Sequence, residues 1–140
     1  MNNLSIYFKK LILDKKATFR WLMSICMVIS GTSHFIILDK YIEIIPSTFA
    51  NPATIVCVSG VLEILGGVGL LIPQISFLTA WGLVLLFITI CVASVSIMFD
   101  NTAPTNIPND FWLQVIILPL QFMLILWAWW LSQPDDQPEI

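Results

Sequence analysis

The chain has 140 residues, 58% of them hydrophobic and 11% charged, with a formal net charge of −3. A soluble domain of this size needs a solvated shell in which roughly a quarter of the residues are charged, so these figures exclude a water-soluble globule, and the mean hydropathy of +0.90 agrees. The length suits one compact bundle, and the basic residues abut an apolar run, which excludes a nucleic-acid surface.

Residues 1–18 lack the compact apolar core and small-residue cleavage site of a signal peptide. Leu4, Tyr7, Phe8, Leu11 and Ile12 fall on one helical face, with Lys9, Lys10 and Lys16 elsewhere around it. The pattern predicts a cytoplasmic amphipathic helix lying in the headgroup layer; a frayed basic tail is the other reading.

Residues 19–131 carry four apolar runs, predicted as helices over 19–38, 52–72, 76–99 and 111–131. Each approaches the roughly 20 residues needed to cross about 30 Å of hydrocarbon. The expected fold is all-α, a polytopic membrane four-helix bundle preceded by an N-terminal amphipathic interfacial helix. Lys9, Lys10, Lys15, Lys16 and Arg20, five of the six basic residues, precede or open the first run. That asymmetry places the N-terminus in the cytoplasm, and an even number of crossings returns the C-terminus there. The short link at Pro73–Ser76 then lies inside, and the longer links 39–51 and 100–110 lie outside. Trp21, Trp81, Trp112, Trp129 and Trp130 sit near run ends, as interfacial anchors do. Residues 132–140 read as a disordered acidic tail.

Cys26, Cys57 and Cys91 are single and embedded in apolar runs, which reads as ordinary burial; no CxxC pair is present. One histidine and no clustered thiols give no metal motif.

The informative residues are the polar ones within the runs. Glu63 is the only charged residue in Val58–Leu71, a stretch with four glycines: Gly60, Gly66, Gly67 and Gly69. Eleven residues into its helix, it lies roughly 16 Å from the outer end. An ionised carboxylate facing lipid there costs at least about 2.5–3.5 kcal/mol, so Glu63 must face other helices, be neutral, or both. Ser59, Glu63 and Gly67 form an i, i+4 row, and the glycines let a neighbouring backbone approach closely. Depth along the helices places Gln121 and Thr89 at the level of Glu63. Pro119 frees the carbonyl of Val115, and together these predict a polar pocket. Ligand anchor, proton relay and plain interhelical hydrogen bonding are all open readings of Glu63. His34 falls roughly 10 Å nearer the outside, so direct contact with Glu63 requires tilt or a water, and Ser30 and Ser94 match its depth better.

The motifs Gly31-Thr32-Ser33-His34-Phe35, Tyr41-Ile42-Glu43-Ile44-Ile45-Pro46, Ser59 through Gly67, Leu70-Leu71-Ile72-Pro73, Pro119-Leu120-Gln121 and Trp127-Ala128-Trp129 occur in this order. In order and spacing the chain resembles the DoxX-like family of small four-helix membrane proteins. It departs from that pattern at Ile117, where an Arg is common, and at Val92-Ala93-Ser94, where a Pro-Ala-Asn step is common. The missing Arg removes the most obvious cationic partner of Glu63. The resemblance implies a bacterial plasma or internal membrane, and relatives include a subunit of thiosulfate:quinone oxidoreductase and assembly-type proteins.

Three functions follow as expectations. The first is a non-catalytic accessory or assembly subunit of a larger membrane complex, whose partners are the lipid bilayer and other membrane subunits and whose sequence shows no evident cofactor. The second is a component of a quinone-linked oxidoreductase, with quinone as cofactor and Glu63, Gln121 and His34 at its site. The third is a small proton-coupled transporter; the unequal depths of Glu63 and His34 and the lack of an inverted repeat count against it.

Overall fold

The computed structural model describes residues 3–45, 50–99 and 110–134, and the side chains of 15–43, 45, 50–96 and 115–134. All regular structure among them is helical: α1 (Asn3–Ile36), α2 (Leu38–Ile44), α3 (Pro52–Leu70), α4 (Ser76–Phe99) and α5 (Asp110–Leu131). Two helices, Pro52–Leu70 and Ser76–Ser96, are long and apolar enough to cross a membrane.

The predicted boundaries hold for α4, and α3 starts at Pro52, where the ring's fixed φ and missing N–H suit a first helical turn. α3 ends two residues early. The Leu71 N–H turns back to the Val68 carbonyl and the Ile72 N–H to Gly69, because Pro73 cannot continue the ladder. Two expectations change. No break separates residues 1–18 from 19–38: α1 is one 34-residue helix, since neither proline nor glycine interrupts residues 3–30. The link over 39–51 also holds a helix the pattern did not suggest. Ile37 leaves helical geometry at φ −119° and ψ 39°, and α2 restarts directly after it. The side chains of Lys9, Lys10 and Trp112 and the tail beyond residue 134 lie outside the described residues.

Packing divides the long helices into two pairs, α1 with α3 and α4 with α5, joined mainly across α3 and α4. α1 and α3 run antiparallel: Gly31 meets Gly60, while Ser24 and Met27 meet Gly67. At the other end of the molecule Met23, Met27, Leu70, Leu83, Phe87 and Leu131 form one apolar cluster drawing on all four long helices. There the Lys16 ammonium donates to the Gln133 carbonyl at 2.5 Å. Ala17, Arg20 and Trp21 share a 140 Å³ hollow with Leu70, Leu71 and Pro73. The basic turn of α1, the α3–α4 link and the end of α5 therefore lie at the same end. Lys16 is buried rather than splayed outward as an anchor. Trp21, Trp81, Trp129 and Trp130 are exposed.

Candidate functional site

Four small or polar residues along α3 meet α1 in a continuous seam. A Cβ on Gly31 would stand 2.5 Å from the Gly60 carbonyl oxygen, and one on Gly67 would stand 2.8 Å from the Ser24 carbonyl oxygen. Real Cβ atoms do not come so close, so glycine is required at both positions for the two backbones to touch. Gly60 faces the His34 Cβ, which sets the imidazole directly over α3. The other two glycines of the row point elsewhere: Gly66 faces Leu83, and Gly69 faces Thr79 at 2.6 Å, both on α4. One glycine-rich stretch thus serves two interfaces.

The imidazole of His34 is held from both sides. Its Nδ1 lies 3.1 Å from the Val56 carbonyl oxygen and 3.0 Å from the Ser59 hydroxyl. The single hydroxyl hydrogen of Ser59 is committed to the Val56 carbonyl at 2.9 Å. Because a carbonyl only accepts, Nδ1 is the nitrogen that carries hydrogen. Nε2 then faces the Glu63 carboxyl, 3.7 Å from Oε1. That separation is an ion-pair distance for a protonated imidazole and longer than a direct hydrogen bond. Glu63 is 4% exposed, its second oxygen Oε2 has no hydrogen-bond partner among the described residues, and the Ser30 side chain is its hydroxyl neighbour.

The His34–Glu63 approach corrects the depth argument. Counting backbone rise alone separated the two by more than a helical turn. Side chains, however, lean toward the N-terminus of their own helix. In antiparallel α1 and α3, with Gly31 set against Gly60, the two lean toward each other and bring Nε2 within 3.7 Å of Oε1.

α2 completes the site at the end nearest the α1–α2 bend. The Tyr41 ring lies 4.3 Å from the His34 ring, centroid to centroid, tilted by 48°. Its hydroxyl donates to the Ser33 hydroxyl at 2.9 Å, which in turn donates to the Ser30 carbonyl at 2.6 Å. Tyr41, Ser33 and Gly31 were not singled out from the sequence as site residues. The signal that could have found Tyr41 is its place two turns after His34, on the short amphipathic stretch that opens the link.

The other predicted members lie apart from this site. The Gln121 amide donates to the Ser94 hydroxyl at 3.1 Å, between α5 and α4, and its carbonyl oxygen is buried with no hydrogen-bond partner among the described residues. Thr89 is exposed and donates back to the Leu85 carbonyl at 2.9 Å; Pro119 is exposed on α5. The expected pocket joining Glu63 to Gln121, Pro119 and Thr89 does not form, because α3 packs on α1 and α4 rather than on α5. Ser94 likewise serves Gln121 instead of His34. Among the described residues no group of His, Cys, Asp and Glu has the arrangement of a metal site.

A second feature is a groove of about 240 Å³ along the outside of α3 and α4. Leu62, Leu65 and Gly66 form one wall, and Thr79, Gly82 and Leu86 the other. A Cβ on Gly82 would meet nothing within 4 Å, so the groove is open where that glycine stands.

The family described as a domain of unknown function (DUF8561) matches residues 23–132, and the chain belongs to it. The match takes in the whole His34–Glu63 site and the groove. No curated protein and no solved structure matches the chain.

Proposed function

We propose that this member of the family is an integral membrane four-helix bundle of a bacterial plasma or internal membrane. In this reading it serves as an accessory or assembly subunit that docks laterally onto a larger membrane complex. Both termini face the cytoplasm. The shared end of Lys15, Lys16, Arg20, the α3–α4 link and the end of α5 supports that orientation by the positive-inside rule. Lipid contact is supported by what the two apolar helices leave outside: only 39% and 28% of their most apolar stretches are buried. A core helix of a soluble protein would be mostly covered. The similarity to DoxX-like proteins adds to this reading.

The observation that carries the docking reading is the groove between α3 and α4. Without a hydrophobic force between helices in lipid, association relies on close packing, and small residues permit it. Gly66 already receives Leu83 from within the chain, whereas Gly82 lies open beside it. A transmembrane helix of the partner subunit fits there, its side chains seated between Leu62, Leu65 and Leu86.

The test is extraction from native membranes in mild detergent, then native gel separation and mass spectrometry, with wild type beside Gly82→Leu. A Cβ there meets nothing within 4 Å and the rest of the leucine side chain extends into the open groove, so the bundle itself is expected to persist. Wild type should migrate in a large complex and Gly82→Leu as a small species. Co-migration of the variant with that complex, or wild type found alone, would overturn the reading.

A second reading, a component of a quinone-linked oxidoreductase, is favoured by the His34–Glu63 pair, because quinone reduction takes up protons and this pair can relay them one at a time. Quinone co-purifying with wild type and lost from Glu63→Gln would favour it over the first.

A further inference from the structure

We propose that His34 and Glu63 form a proton-binding site in which Nε2 and Oε1 share a single proton between α1 and α3. The site stands apart from the docking groove and does not depend on it. It rests on the fixed tautomer, the burial and the closeness of the two groups.

The tautomer comes first. With Nδ1–H engaged by Val56 and Ser59, the neutral ring presents Nε2 as an acceptor toward Glu63. A proton on the carboxyl then has Nε2 as its acceptor; a proton on Nε2 gives an imidazolium facing a carboxylate. Both arrangements are neutral overall and hold the same one proton. Removing it leaves a buried carboxylate with no opposing charge, and adding a second leaves a buried imidazolium with none. Each of those is a costly state away from water. The 3.7 Å between Nε2 and Oε1 is within ion-pair reach, and the last torsion of Glu63, which is broad and weakly restrained, leaves the carboxyl oxygens free to adjust toward the ring.

The neighbours leave this pair to itself. On α1 the facing groups are the hydroxyls of Ser30 and Ser33, and on α3 that of Ser59. Tyr41 is the titratable group of α2 against the ring. The other charged groups of α2, Asp39, Lys40 and Glu43, are exposed, and Lys40 and Glu43 pair with each other at 3.4 Å. α3 has no charged residue besides Glu63 and α4 has none at all; Cys57 and Cys91 are their only thiols. Half-buried Tyr41 covers one face of the imidazole, 4.3 Å away between ring centroids, and so shields the pair from exchange on that side.

His34 is the only histidine of the chain, which makes the test a single-residue measurement. The full chain is prepared in lipid nanodiscs with ¹⁵N-labelled histidine, and the imidazole nitrogen shifts are followed from about pH 5 to about pH 8, where an isolated imidazole changes form. A shared proton gives a protonated-type Nδ1 and an Nε2 signal between the protonated and bare values, both steady across this range. In Glu63→Gln the Nε2 signal should move to the bare-acceptor value. In Tyr41→Ala the tautomer should stay while exchange of the ring hydrogens speeds at least tenfold. A bare Nδ1 in wild type, or a wild-type Nε2 that titrates as an isolated imidazole does, would overturn the proposal. Since these two outcomes are read on the unaltered chain, the test stands even if Glu63→Gln fails to fold.

Discussion

The α1–α3 and α4–α5 pairs are held together by different means. Along α1–α3 the backbones touch through Gly31, Gly60 and Gly67, and two titratable side chains occupy the seam. Along α4–α5 side chains fill the space, with Ala128 and Leu131 of α5 in the apolar cluster and, among the described residues, one polar bond, Gln121 to Ser94. Closeness confers different tolerances. Where backbone meets backbone, nothing can yield to an added atom; where side chains meet, rotamers can adjust.

Substitutions can break or sharpen this contrast. The largest effect is expected at Gly31→Leu, whose side chain would be driven against the Gly60 carbonyl. Destabilisation of at least about 3 kcal/mol, read by thermal unfolding in micelles, is expected, and a near-normal midpoint would show that the seam can open. Next is His34→Leu, which strips Glu63 of its only facing polar ring and should cost about 1–3 kcal/mol. Glu63→Leu should cost less, because the imidazole keeps Val56 and Ser59. Equal losses for the two would mean that the carboxyl and not the ring organises the seam.

On the other pair, Ser94→Ala orphans the Gln121 amide and should cost about 1 kcal/mol. Adding Gln121→Leu should bring stability back toward wild type, since both polar partners are then gone. Failure of that rescue would give Gln121 a role beyond this bond. The smallest effect belongs to Gly82→Ala, which meets open space and should change stability by no more than about 0.5 kcal/mol. A large loss there would mean that the groove is closed in the membrane.

Much of the helical layout was legible. Apolar run length and Pro52 and Pro73 marked α3 and α4 to within two residues, because apolar composition and the chemistry of proline act locally. The continuity of α1 was not legible: charge suggested a boundary near residue 18, but charge alone does not interrupt a hydrogen-bonded ladder. α2 was missed because seven residues following a bend carry too little periodicity to stand out.

The candidate site was half legible. Glu63, His34 and Ser59 were picked out as residues whose cost in an apolar run demands a partner. The partners assigned to them were wrong where depth was the only guide. Gln121, which the depth count set at the level of Glu63, belongs to the other helix pair. His34 lies at a different level yet reaches Glu63 because antiparallel side chains lean toward each other.

The sequence by itself determined that the chain is helical and apolar, that its basic residues gather toward one end, and that a carboxylate and an imidazole stand among glycines. Those properties follow from composition and local spacing. Only the tertiary structure decided which glycine faces which helix, that Nδ1 of His34 is taken by Val56 and Ser59, and that Nε2 is left to Glu63. Side-chain pairing depends on the azimuth and register of two helices distant in sequence, and a 3.6-residue period leaves both free until the backbones meet.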